Sequence, residues 1–128
     1  MYTQAVDCNQ CLHDFAIAFM YLGELTVMVL KEKDRTVLKT MIDEEISKIP
    51  GIISNLRLPE FSGVFKIKDE SEYVYGYTHG SIVGKFETYY FVVHSGKKPS
   101  GGEVDEIATT LFQRSAEIRD AILRAGGQ

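Results

Sequence analysis

Cys8 and Cys11 are the only cysteines in the chain and form a single C-x-x-C. A structural zinc site takes four ligands at regular spacing. His13, His79 and His94 are available nitrogen ligands, but no two of them form a spaced pair. A dithiol redox centre sits at a helix N-terminus, whereas this pair falls inside an apolar-striped helical stretch. Two ordinary helix thiols are therefore expected, with no metal and no cofactor. Glu44-Glu45 is an acid pair, read as the solvated start of a helix. The loop Gly96–Gly102 carries glycines together with Lys97 and Lys98, the ingredients of a phosphate cradle. It lacks the G-x-x-x-x-G-K-[ST] order that such a cradle needs, and is read as a strand-to-helix connection. No G-x-S-x-G elbow occurs. No catalytic residues are assigned, and the chain is expected to bind another protein rather than to catalyse a reaction.

The most informative side chains are tyrosines and lysines. Tyr73, Tyr75 and Tyr77 alternate. On a strand they would form a three-ring row on one face, opposite Val74 and Gly76. Tyrosine combines apolar area with a polar end and suits the centre of an interface. Lys66, Lys68 and Lys85 would lie on neighbouring strands. The other reading has the rings packing beneath a terminal helix with their hydroxyls at its edge, and both stay open.

These residues need elements to hold them. Ala5, Cys8, Leu12, Phe15, Phe19 and Leu22 recur three and four apart, one apolar helix face, with Gly23 as its stop. Leu25–Leu30 reads as a buried strand, Lys31–Arg35 as a charged turn, and Thr36–Thr40 as the returning strand. Asp43–Asn55 predicts a second helix capped by Asp43, with a kink or a division at Pro50-Gly51. Phe61–Lys68, Tyr73–Thr78 and Ser81–Ser95 read as strands, the last as one strand or as two joined near Glu87-Thr88. Asp69–Glu72 and His79-Gly80 are the turns between them. Ser100 and Glu103 match the S-x-x-E capping box. They open a terminal helix whose stripe is Val104, Ile107, Ala108, Leu111, Ser115, Ile118 and Ile122. Asp120 and Arg124 form an i,i+4 pair on it, and Gly126–Gln128 is expected to fray. The sum is an α+β fold, a central antiparallel sheet with the N- and C-terminal helices packed on one face.

Composition bounds the function. The 128 residues fit a single domain, 1–128, with one core; 45% are apolar and 25% charged, ordinary globular values. A net charge of −4 argues against a nucleic-acid partner. No run is long and apolar enough to cross a membrane. Met1-Tyr2-Thr3-Gln4 lacks the basic region of a signal peptide, so a cytoplasmic location is expected.

Phe61-Ser62-Gly63-Val64-Phe65, Tyr73-Val74-Tyr75, Ser81–Lys85 and Tyr89–His94 resemble, in pattern and order, the central strands of profilin. Lys98-Pro99-Ser100-Gly101-Gly102 and the amphipathic helix after it are similar to that family's last loop and helix. The resemblance covers most of the chain and is closest to archaeal profilins. It implies an actin-monomer-binding protein that regulates polymerisation and is associated with the cytoskeleton. Carried over by position, the actin face includes Lys66, Lys68, Tyr73, Tyr75, Lys85, Lys97, Lys98 and Glu106. It also implies proline-rich peptide or acidic phospholipid as further partners. Profilins grip proline-rich peptides with tryptophans, and this chain has none; Tyr2, His13, Phe15 and Phe112 are the nearest aromatic candidates. A roadblock- or longin-like scaffold, dimerising or holding a small GTPase, shares the element order and is the alternative.

Overall fold

A computed structural model describes residues 28–126. Every regular element among them is a helix: α1 (Glu32–Leu56), α2 (Pro59–Ser62), α3 (Glu70–Val93), α4 (Gly101–Gln113) and α5 (Ser115–Gly126). The α+β expectation with a central antiparallel sheet, and with it the profilin fold, is therefore overturned. The predicted helix over residues 5–22, and residues 25–27 of the first predicted strand, lie outside the described residues.

The reason for the difference is visible along α3. Val74, Thr78, Ile82, Phe86 and Tyr90 recur every fourth residue, and all are buried. That stripe outlasts any local alternation and is the signature of a helix laid along a core. The alternating tyrosines are a short-range coincidence of residues that also favour strands. Phe61–Lys68 is likewise not a strand: Pro59 starts the short α2 at its N1 position, after Leu58 in an extended conformation.

α1 absorbs the charged turn, the returning strand and the second helix predicted for residues 31–55. Its stripe runs Leu38, Ile42, Glu45, Ile49 and Ile53. Pro50 lies inside this single helix and does not divide it. Asp43 is interior rather than a cap; Glu32 and Asp34 occupy the first turn instead. Met28–Leu30 is irregular chain, not strand, with Leu30 buried. The capping box forms as predicted: the Glu103 N–H donates to Ser100 Oγ at 3.2 Å and the Ser100 N–H to Glu103 Oε1 at 2.8 Å. The terminal helix, expected to be continuous, divides at Arg114 into α4 and α5. Arg114 is held there by Asp43 at 2.6 Å and Glu117 at 2.9 Å. Asp120 and Arg124 pair as predicted.

Contacts along α1 and α3 run in opposite senses, so the two long helices are antiparallel. Tyr89 donates to Asp34 Oδ1 at 2.7 Å, and His94 Nε2 lies 2.8 Å from Oδ2. In the middle, Ser81 and Lys85 both reach Glu45. At the far end Arg57 forks onto Glu70 at 2.8 and 2.6 Å. α5 lies over the seam between them, tied to α3 by Arg119–Glu72 and to α1 by Arg57 donating to the Gly126 carbonyl. Ile118, Ala121 and Ile122 complete the core from α5, and Ile107 and Leu111 from α4. Past α3, Ser95 and Gly96 adopt φ of 57° and 83°. This left-handed pair ends the helix, with the Gly96 N–H on the Phe91 carbonyl at 2.8 Å.

Two buried carboxylates and one partly buried one hold these joints. Glu45 is not the solvated helix start expected from its neighbour: it is 3% exposed. Burial pushes its carboxyl up, but Lys85, Lys48 and Ser81 outweigh burial and hold it below the ordinary value. Glu106 takes the Val29 and Leu30 N–H groups at 2.7 Å each and Arg35 at 2.6 Å. Burial raises it, and these donors bring it below the usual range. Asp34, 2% exposed, is the third.

Glu45 and Glu106 both have depressed native values. Their contribution is present above the unfolded carboxylate pKa, about 4.3, and is lost as pH falls through the native values. Stability is expected to drop steeply below about pH 4.5. Glu106→Gln should lower it by about 1–3 kcal/mol at pH 7 and flatten the acid limb, read by urea melts across pH. An unaltered acid limb would assign that limb to other groups. Thr78 Oγ1 is the buried side-chain polar atom that lacks a hydrogen-bond partner among the described residues. Thr78→Val keeps its volume and should stabilise the fold by about 1 kcal/mol, seen as a higher urea midpoint with an unchanged slope. A lower midpoint would mean that the hydroxyl is satisfied in solution.

Candidate peptide-binding site

The corner where α1 ends, α2 turns and α3 begins exposes an aromatic cluster. Phe61 and Phe65 stack with centroids 6.0 Å apart and planes at 15°. The spacing is set by the helical turn of α2, continued when the Phe65 N–H donates to the Phe61 carbonyl at 2.8 Å. Tyr73 and Tyr77, one turn apart on α3, face them. With Ile52, Asn55 and Leu56 of α1 these rings line a depression of about 210 Å³. Phe61, Phe65, Tyr73 and Tyr77 remain 40–52% exposed, and Val64 at the turn is 71% exposed. Large apolar side chains this open and this close together form a patch that water solvates poorly.

A second depression of about 380 Å³ adjoins the first, sharing Leu56 and Phe65 and lined also by Lys66, Ile67, Arg57 and Glu70. Arg57 and Glu70 satisfy each other: the paired guanidinium holds Glu70 below its ordinary value, and Glu70 raises Arg57. Lys66 and Lys68 are exposed and form no ion pair among the described residues. Positive charge therefore flanks the aromatic cluster on the α2–α3 connection. The Tyr73 and Tyr77 hydroxyls and the Asn55 amide are polar groups on or beside the apolar surface, suited to fixing a peptide backbone.

The residues assigned to one actin face do not share one here. Lys66, Lys68 and Tyr73 gather at this corner. Tyr75, two residues on, projects to the other side of α3, beneath the Arg119 guanidinium at 4.0 Å. Lys85 is engaged by Glu45. Its ammonium is held above the ordinary lysine value, by Glu45 first, against the opposing effect of burial. Lys97 and Lys98 lie on the α3–α4 loop, and Glu106 is bound by Arg35. Of the proline-peptide candidates, Phe112 lines a groove with Tyr75 between α3 and α4; Tyr2, His13 and Phe15 lie outside the described residues. Sequence reading missed Phe61, Phe65 and Tyr77 as a cluster. The missing signal was Leu58-Pro59, a helix start that turns the spacing of residues 61, 65, 73 and 77 into one surface.

The other concentration of chemical groups is polar and occupied. Around Asp34 stand Tyr89 and His94; beside them the Tyr90 hydroxyl donates to Glu103 at 2.7 Å, and its ring stacks on His94 at 3.9 Å. Burial, then Asp34, pushes Tyr89 up to about 12. Glu103, then burial, does the same to Tyr90, also about 12. Both phenols are neutral donors at physiological pH. The cluster joins the start of α1, the end of α3 and the start of α4. No three His, Cys, Asp or Glu side chains among the described residues are gathered as a metal site requires. No helix among them is long and apolar enough to cross a membrane.

Compared with known proteins, the chain matches no family model, no curated protein and no solved structure.

Proposed function

We propose that this chain is a helical protein-binding domain whose α1–α2–α3 corner takes a short segment of a partner protein. The observation that carries the reading is the exposed aromatic depression of Phe61, Phe65, Tyr73 and Tyr77 beside the exposed Lys66 and Lys68, which form no ion pair among the described residues. Its chemistry selects an apolar anchor, aliphatic or proline, with acidic residues next to it. The ring faces take the anchor, the tyrosine hydroxyls and Asn55 offer hydrogen bonds to the backbone, and the lysines take the acids. Such sites give modest affinity, with charge acting mainly on association rate and selectivity.

The profilin resemblance named monomeric actin as partner. The strand faces on which that expectation rested are absent among the described residues, so the partner is defined here by chemistry and actin is one probe of it. The strand edges that a roadblock or longin scaffold would use are likewise absent among the described residues.

The test is fluorescence anisotropy with labelled peptides that carry a leucine–proline anchor followed by two or three glutamates. Dissociation constants of roughly 10–100 μM are expected, equivalent to about 5.5–7 kcal/mol. Phe61→Ser with Tyr77→Ser should weaken binding at least tenfold, and Lys66→Glu with Lys68→Glu several-fold and mainly at low salt. All four positions are exposed, so melting curves should barely move. Equal binding by all variants, or none by any peptide, overturns the reading. A pyrene-actin nucleation assay at tens of micromolar protein settles actin as a partner in its own right.

A further inference from the structure

The end of the bundle away from the aromatic corner gathers a different chemistry. Asp34 holds the start of α1 to Tyr89 and His94 at the end of α3. Val29 lies against Gly102 at the start of α4, where an added Cβ would come within 3.3 Å of it. The chain entering α1, the last turn of α3, the α3–α4 loop and the first turn of α4 therefore share one end. Phe91, Val92 and Val93 close α3, and all three are exposed, Val92 at 72%. Consecutive helical residues step about 100° around the axis, so the three point to widely different sides. A stripe that serves the core needs positions three or four apart, and Phe86 and Tyr90 already supply it. A helix end in water favours lysine or arginine in its last turn, and α3 has neither there. Met28, at the same end, is 73% exposed. Packing within the bundle does not account for four apolar side chains this open.

Lysines stand around this apolar tip. Lys97 and Lys98 line a shallow depression of about 570 Å³ together with Phe91 and Val104, and Lys31 and Lys33 stand at the start of α1. All four are exposed and form no ion pair among the described residues. Several acids of this end are turned inward instead: Asp34 onto Tyr89 and His94, Glu103 onto Tyr90 and Ser100, and Glu106 onto Arg35. Glu32, Glu87 and Asp105 are exposed at or near it, three acids against four lysines, on a chain whose net charge is −4.

We propose that this end of the bundle docks on a membrane surface that carries anionic phospholipids. Phe91, Val92, Val93 and Met28 enter the boundary between headgroups and acyl chains, and the four lysines lie at the phosphates. Apolar side chains rimmed by lysine match a surface whose outer layer is anionic and whose inner layer is hydrocarbon. Val92 and Met28 are prominent rather than recessed, which suits a fluid apolar layer that moulds around them. The contact is separate from the peptide corner, which lies at the other end of the two long helices, and none of the profilin strand faces contributes to it.

The test is sedimentation of the full chain with vesicles of phosphatidylcholine alone and of phosphatidylcholine mixed with phosphatidylserine. Binding to the mixed vesicles should exceed that to the neutral ones at least tenfold and weaken with salt. A lysine near an anionic surface contributes about fivefold, so Lys97→Glu with Lys98→Glu should weaken binding at least tenfold. The chain has no tryptophan, so Val92→Trp supplies a single fluorophore. Its emission should move to shorter wavelength with the mixed vesicles and stay in place with soluble glycerophosphoserine. These positions are exposed, and melting curves should barely move. Phe61→Ser with Tyr77→Ser should leave vesicle binding unchanged. Absence of sedimentation, equal sedimentation with both vesicles, or an unmoved emission from vesicle-bound protein overturns the proposal. So does binding that survives the lysine changes and is lost with Phe61→Ser and Tyr77→Ser, which would place the membrane contact at the aromatic corner.

Discussion

Three buried or half-buried acids set the register of the bundle. Asp34, Glu45 and Glu70 each lie on one of the two long helices and accept donors from the other, at the two ends and the middle of their antiparallel seam. An acid at a core position is costly unless its lone pairs are filled. Sliding α1 by one turn past α3 would strand Asp34 and Glu45 together. The apolar stripes alone are too uniform to forbid such a slip: isoleucines recur at 42, 49 and 53, and apolar residues at every fourth position of α3. The carboxylates supply the specificity and the aliphatic stripe supplies the driving force.

Glu106 extends the same logic to the third layer. One carboxylate gathers two backbone N–H groups and the Arg35 guanidinium, and so joins α4, the start of α1 and the chain entering it. The break at Arg114 follows from the same constraint. α4 must satisfy Glu103 and Glu106 at one end of the bundle, while α5 must lay Ile118 and Ile122 over the α1/α3 seam. A straight helix could not do both, and Arg114 bridges the joint to Asp43 and Glu117.

The aromatic corner differs from these joints in kind. Where the buried acids each have their donors, Tyr73 and Tyr77 have exposed rings, and Lys66 and Lys68 have no counter-ion among the described residues. Stability does not require Phe61, Val64 and Phe65 on the outside of a short helix and the turn that follows it; an ordinary surface turn would carry polar residues there. That contrast, within one small bundle, separates the groups that hold the fold from those free to meet a partner.

Several features were legible in the residues alone: the Ser100–Glu103 capping box, the stripe of Ile107, Leu111, Ile118 and Ile122, and the Asp120–Arg124 pair. Each depends on neighbours within four residues, where the chain's own geometry decides. Whether Tyr73–Ser95 is strand or helix was not decided locally, because tyrosine, valine and phenylalanine suit a pleated surface and a buried helix alike. The choice came from α1 and α5, whose stripes match a four-residue repeat and give Val74, Ile82 and Phe86 somewhere to be buried. The same holds for Glu45: its sequence neighbour Glu44 suggested a solvated pair, and only the arrival of Ser81 and Lys85 from about forty residues away made it a buried acceptor. Tertiary structure alone decided the site, since packing splits the alternating tyrosines between opposite sides of α3 and brings Tyr73 and Tyr77 to Phe61 and Phe65.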